Sequence, residues 1–248
     1  MSKATNRTFT VVGIILVPAI WVALKYLFHV SDRYLPTPLS VIDTFTSIEP
    51  NIMIHFSYSL ARLIIGYVGG VIIGVYLGLR LFKSKRLMDL LYPTIQSLRS
   101  VPAAATVPFF LLWFGFEETG KFLLIFTGIA FNLSITTIEI LNKIPDKYLI
   151  FFRSINGKAE NHLKNFALPF VLEKLLPTLR FSLTTAIGLV VVSEFLGSQA
   201  GLGYLIQTAR STFSMNVIFA CMLLFGIMNF AVDKILVLIW KKLIYWKS

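Results

Sequence analysis

Charge is scarce in this chain, and so are most of the side chains that do covalent chemistry. Only 14% of its 248 residues are Asp, Glu, Lys or Arg, against 56% hydrophobic, and the mean hydropathy is +0.76. Soluble domains carry about 25% charged residues, so the composition excludes one of this size. The single cysteine, Cys221 in FACMLLFG, excludes a disulfide framework or a multi-cysteine metal site within one chain. Its expected role is apolar packing. His29, His55 and His162 lack the close helical spacing that puts two imidazoles on one metal, so no metal site is expected. Acids are the scarcest charge, 12 against 23 Lys and Arg, for a net charge of +11.

What is present is apolar length. With about 20 residues per helical crossing, roughly six spans fit, and apolar stretches stand at about 9–29, 57–80, 91–114, 121–141, 177–196 and 214–240. The start, MSKATNRTFTVVGIILVPAIWVAL, is basic and then apolar like a signal peptide. No small-x-small cleavage site follows it, so it reads as a retained first helix. With the N-terminus inside, Lys3, Arg7, Arg80, Lys83, Lys85 and Arg86 share the cytoplasmic side with the bases between 143 and 174 and with Lys241, Lys242 and Lys247. The opposite side receives mainly Arg33, Lys121 and Arg210 together with Asp32, Asp43, Glu49, Glu117 and Glu118. This asymmetry follows the positive-inside rule and explains the net charge. A nucleic-acid binder needs its bases clustered on a soluble face, and none is expected here.

One polar segment breaks the pattern. INGKAENHLKNFALPF, residues 155–170, lies in an inside loop at about 142–176 that is too long for a simple hairpin. The loop has the residues for two short amphipathic helices broken near Asn156 and Gly157. Two readings stand side by side: a platform for a cytoplasmic partner, or an interfacial helix with Phe151, Phe152, Leu163 and Phe166 dipped into lipid. A phosphate loop is excluded. Residue 152 is Phe where the motif needs Gly, and Ala159 follows Lys158 where it needs Ser or Thr. No catalytic apparatus is expected, so any ATP-driven process must use hydrolysis on another polypeptide that touches this one from the cytoplasm.

Within the spans, Gly66, Gly70, Gly74 and Gly78 recur every four residues along one helix face and predict close packing, either inside the chain or against a second subunit. The third span carries Pro93, Pro102 and Pro108, each of which bends or interrupts a helix. Broken helices in membranes are tolerated where protein or a water-filled path surrounds them. Arg99 in that span needs an ion-pair partner, for which Glu194 is a candidate, or a snorkelling route, or an anion pathway. Glu194 reads as a helix-end or packing carboxylate or as a gating residue, and the glycine-rich LGSQAGLGYLIQTAR after it as a tight turn and a small surface helix. Asp233 and Lys234 read as a local charge pair. Arg99, Pro102, Glu194, Gly201 and Gly203 are the candidates for pathway or gate.

Four stretches, YLPTPLSVIDTF, SLARLIIGYVGGVIIGVYLGL, LYPTIQSLRSVPAAATVPFFLLWFGF and SEFLGSQAGLGYLIQTAR, taken in that order, resemble the permease subunits of bacterial binding-protein-dependent ABC importers. The similarity is to the branch for taurine, alkanesulfonate, nitrate, bicarbonate and thiamine precursors. It implies an all-α, six-helix, type I importer permease (MetI-like) fold with both termini cytoplasmic. The whole of 1–248 would be one transmembrane domain, with its core at about 50–245, in the bacterial plasma (inner) membrane. It implies a second permease chain, two ATP-binding subunits that hold ATP and Mg, and an extracytoplasmic solute-binding protein; this chain itself binds no cofactor.

The family's central loop docks into the ATPase as a coupling helix, with a signature that usually opens Glu-Ala-Ala and closes Leu-Pro. Here Gly157 matches its glycine, and Leu168 and Pro169 its ending. Phe151, Phe152 and Arg153 stand where Glu-Ala-Ala is expected, ahead of Asn156 and Lys158. The competing reading is an ion-coupled secondary transporter or channel, which would show paired broken helices in two repeats and embedded acids.

Overall fold

The structure, a computed structural model, describes residues 16–47, 52–145 and 168–244, and no strand occurs among them. Helix α1 (Leu16–Leu27) is followed by α2 (Pro38–Ser47), α3 (Ile52–Lys83) and α4 (Lys85–Ser100). A 3-10 turn (Ala103–Thr106) leads into α5 (Val107–Phe114), and then come α6 (Glu118–Leu141), α7 (Leu168–Gly197), α8 (Leu202–Ser211) and α9 (Met215–Leu243). Among the described residues α3, α6, α7 and α9 are long and apolar enough to cross a membrane, and the bent pair α4–α5 makes a fifth if it counts as one span. The first expected span is described only as α1, which is shorter than a crossing needs; residues 9–15 lie outside the described residues.

The third span is broken, at one of the three prolines expected to bend or interrupt it. Its two halves meet at 89°. Pro102 stands at the break, in extended backbone with φ −56° and ψ 118°. Pro108 lies in the first turn of α5, where its missing N–H has no helical partner to lose. Pro93 sits inside an unbroken α4, whose sequence KRLMDLLYPTIQSLRS is amphipathic rather than uniformly apolar. The helix starts on Ser84, whose hydroxyl accepts the Leu87 N–H.

Close approach of α3 to α6 organises the core. A Cβ at Gly66 would stand 2.7 Å from Ile125 Cγ2, one at Gly70 2.8 Å from Ile129 Cβ, one at Gly74 2.7 Å from the Ala130 carbonyl oxygen, and one at Gly78 2.5 Å from Thr137 Cβ. Helix α7 packs along the same unit and is tied to it by Tyr67 Oη, which donates to the Leu179 carbonyl at 2.8 Å. At its far end α9 is pinned by Trp240 Nε1, which donates to the Leu172 carbonyl at 3.0 Å.

One boundary needs correction. Helix α7 begins at Leu168, nine residues before the expected span start at 177, because Val171 and Leu175 already bury themselves in the core. Leu168 and Pro169 are the first described residues of this helix, and Pro177 is accommodated inside it. Phe151, Phe152, Arg153, Asn156, Gly157 and Lys158 lie outside the described residues.

Arg99 does not meet Glu194. Its Nη1 is 3.2 Å from Glu139 Oε1, in the last turn of α6. Glu194 lies against Glu118, at the first residue of that helix, through a shared arginine. The two ends of α6 are about 30 Å apart at 1.5 Å per residue. Arg99 and Glu139 are 32% and 47% exposed, so Arg99→Ala is expected to lower stability by no more than about 1 kcal/mol, read as a small drop in the thermal midpoint of the purified protein.

Candidate functional site: a buried arginine junction

His55, Ser59 and Arg62 follow one another at helical spacing, so α3 presents them on one face near its start. All three are buried. Opposite them stands Glu194, in the last turn of α7 and 1% exposed. Arg62 Nη1 donates to Glu194 Oε1 at 2.7 Å and to the Ala200 carbonyl at 2.7 Å. Its other edge grips Glu118 with two parallel bonds, Nε to Oε2 and Nη2 to Oε1, each 2.6 Å. One guanidinium thus joins α3, α6, α7 and the turn after α7, a use of the planar fork that a lysine cannot reproduce.

The carboxylate of Glu194 is satisfied on every side. Ser59 Oγ donates to it across 2.8 and 3.0 Å, and the Gly203 backbone N–H donates to Oε2 at 2.7 Å. Ser59 in turn accepts the Leu202 N–H at 2.9 Å. The first residues of α8 are therefore held on the α3 and α7 side chains. Glycine is required at the turn. Gly201 has φ +123°, and a Cβ there would overlap the Glu194 carboxylate. A Cβ at Gly203 would stand 2.8 Å from Glu194 Cβ. The Gly201 N–H donates to His55 Nδ1 at 3.1 Å, which places the ring proton of a neutral imidazole on Nε2, a buried atom with no partner among the described residues. The ring stacks on Tyr204 at 5.9 Å.

The junction forms the floor of a cavity of about 730 Å³, lined by Tyr58, Arg62, Phe116, Glu118, Lys121 and Gln199. Lys121 is 3% exposed and lies 3.5 Å from Glu118, which is 44% exposed at the rim. Two bases and two acids close the charge balance of this cluster. Among the described residues no group of three or more His, Cys, Asp or Glu side chains is placed to hold a metal ion. The hydrogen bonds of Arg62 join four segments at one end of the bundle.

Of the pathway candidates, the structure brings Glu194, Gly201 and Gly203 together here. Arg99 lies near the opposite end of α6, and Pro102 at the bend. The sequence reading did not single out Arg62, although the polar trio at 55, 59 and 62 in an otherwise apolar helix was a visible signal. It also paired Asp233 with Lys234. Asp233 instead takes two bonds from Arg180 of α7, at 2.6 and 2.9 Å, and Lys234 Nζ sits 5.3 Å over the Phe230 ring.

Comparison with known proteins places this architecture. The family described as "Binding-protein-dependent transport system inner membrane component" matches residues 70–245. The putative aliphatic sulfonates transport permease protein SsuC of Bacillus subtilis is 33% identical over 232 residues, covering 93% of this chain and 84% of that protein. The taurine transport system permease protein TauC of Escherichia coli is 24% identical over 253 residues, covering 99% of this chain and 91% of that one. Among solved structures, an inward facing conformation of the MetNI methionine ABC transporter superposes with a TM-score of 0.62 at 18% identity, over 76% of this chain and 97% of that chain, a likeness of fold. A fold and a kinship of this extent decide against the ion-coupled alternative. The chain belongs to the family of inner membrane components of binding-protein-dependent transport systems, and it is a multi-pass transmembrane permease of the ABC importer class.

Proposed function

We propose that this permease carries a small sulfonate across the bacterial plasma membrane. An extracytoplasmic binding protein hands over the solute, two subunits on the cytoplasmic face bind ATP and Mg, and a second permease chain completes the pathway. The observation that carries the solute class is the kinship along 93% and 99% of this chain to permeases named for aliphatic sulfonates and for taurine, itself an aminoethanesulfonate. Six crossings with both termini in the cytoplasm fit the distribution of Lys and Arg, the sixth being the segment at 9–29.

In this reading the glycine-packed pair α3 and α6, with α7 tied to it at Leu179 and Glu194, moves as one body between outward and inward access. The Arg62–Glu194 junction fits the outer end, next to the cavity that faces the binding protein. The segment between α6 and α7 fits the ATPase contact, with Gly157 at its bend and Phe151, Phe152 and Arg153 replacing the usual acidic opening. Apolar docking there substitutes for a charged contact.

The test is uptake of radiolabelled taurine and of an alkanesulfonate into cells that lack their own sulfonate permease and express this chain with its ATPase and binding protein. Vanadate-sensitive uptake is expected. Vanadate-sensitive uptake of a different solute with none of either sulfonate would overturn the solute class. For the coupling assignment, Gly157→Pro and Phe152→Asp are each expected to abolish co-purification of the ATPase and to reduce uptake several-fold. Unchanged association and uptake in both variants would refute it.

A further inference from the structure

The open face of α7 is only partly apolar. Arg180, Thr184, Thr185 and Gly188 are exposed there beside Phe181, whereas the exposed face of α3 is largely Ile, Val, Met and Tyr. Arg180 stands six residues beyond Lys174, about 9 Å along the α7 axis, and Asp233 eight residues before Lys241, about 12 Å along α9. An arginine at that depth on a lipid face turns its head toward the nearer interface. Here the guanidinium is drawn sideways instead. Nε donates to Asp233 Oδ1 at 2.6 Å and Nη2 to Oδ2 at 2.9 Å, clasping α7 to α9.

Beside the clasp is a concavity of about 400 Å³ lined by Arg180, Phe181, Thr184, Asn229, Phe230 and Asp233, within the size range of small-molecule sites. Gly226 also lines it, and nothing stands within 4 Å of where a Cβ would be at Gly226 or at the neighbouring Gly188. Glycine weakens a helix interior, and packing within this chain does not require it at either position. What the two glycines preserve is open space along this face.

The chemistry of the lining suits a sulfonate. Arginine has five N–H donors, and Asp233 takes two, leaving both Nη1 hydrogens and one on Nη2. The Arg180 side chain is 54% exposed and is among the residues that line the concavity. The Thr184 hydroxyl and the Asn229 amide add neutral donors, and Phe181 and Phe230 supply apolar walls for a short alkyl tail. Because Asp233 neutralises the arginine, the site offers an anion hydrogen bonds without a net positive trap, as passage through a conduit requires.

We propose that Arg180, Thr184 and Asn229, with Asp233 positioning Arg180, form a solute site within the transmembrane pathway that takes the sulfonate head of the cargo. The proposal deepens the sulfonate reading above and rests on it. Its test uses the assembled transporter in membrane vesicles, with Cys221→Ala removing the buried native thiol and Thr184→Cys or Asn229→Cys introduced singly. Both new thiols are expected to react with 2-sulfonatoethyl methanethiosulfonate, and millimolar taurine should slow the reaction several-fold while alanine does not. In the same vesicles Arg180→Gln should lower the taurine uptake rate at saturating binding protein while the ATPase still co-purifies.

Thiols that do not react in the assembled complex would show that protein or lipid covers this face, and the site would be refuted. Reaction that taurine does not slow, or loss of assembly in Arg180→Gln, would refute it equally. Wild-type uptake of taurine, measured alongside, separates the two readings. Uptake without protection overturns the site alone, whereas absent uptake overturns the sulfonate assignment on which it rests.

Discussion

Replacing Glu194 with alanine is expected to destabilise the permease by about 3–5 kcal/mol, the range for breaking a buried ion pair from one side. The cause is local and countable. Arg62 and Glu194 have side chains 2% and 0% exposed, so the pair is shielded from water. Arg62 keeps Glu118 and the Ala200 carbonyl, but its Nη1 loses a charged acceptor and the Gly203 N–H loses its partner. The start of α8 loses its attachment to α7, and the purified protein should show a clear drop in thermal midpoint, with uptake falling in parallel. Glu194→Gln keeps the shape and one acceptor, so its loss should be smaller. Arg62→Lys should resemble the alanine variant, because one ammonium cannot span Glu118, Glu194 and Ala200 together. A Glu194→Ala protein that melts with the wild type would show that the junction does not hold these segments.

The second large effect is expected at the α3–α6 contact. Gly74→Leu places a side chain where even a Cβ stands 2.7 Å from the Ala130 carbonyl oxygen and 3.1 Å from its Cα, and backbone cannot rotate aside. Gly78→Val meets Thr137 and the Ser134 carbonyl in the same way. Overpacking of this kind costs about 1–3 kcal/mol even where side chains relax, and here two core helices must separate. Loss of folded protein from membranes, or a several-degree drop in melting midpoint, is the expected reading. The internal control is Gly188→Ala, on an open face of α7, where helix propensity alone predicts equal or slightly greater stability, by up to about 1 kcal/mol. If Gly74→Leu and Gly188→Ala behaved alike, the close packing assigned to the stripe would be wrong.

Much of this was legible in the residues because it depends on short windows of sequence. Apolar runs located α3, α6, α7 and α9 to within a few residues over most of their length, since hydropathy sums locally and a crossing needs a minimum length. Pro102 marked the bend, because a missing donor and a fixed φ act on the residues beside it. The early start of α7 was missed for a tertiary reason: Val171 and Leu175 extend the helix by burying against neighbours, past a proline that read as its beginning. The glycine period declared a close contact without naming the helix on its other side.

The charges mark the boundary between the two kinds of knowledge. Composition by itself determined that this chain lies in a membrane and that its few ionisable groups need partners, because an unpaired charge in an apolar surround is too costly to keep. It did not determine which partner each would take. Arg99 went to Glu139, Glu194 to Arg62 and Asp233 to Arg180, partners 40, 132 and 53 residues apart in sequence. Only the crossing of the helices decides such pairs, because an ion pair is set by a few ångströms in space and the distance along the chain carries no record of it.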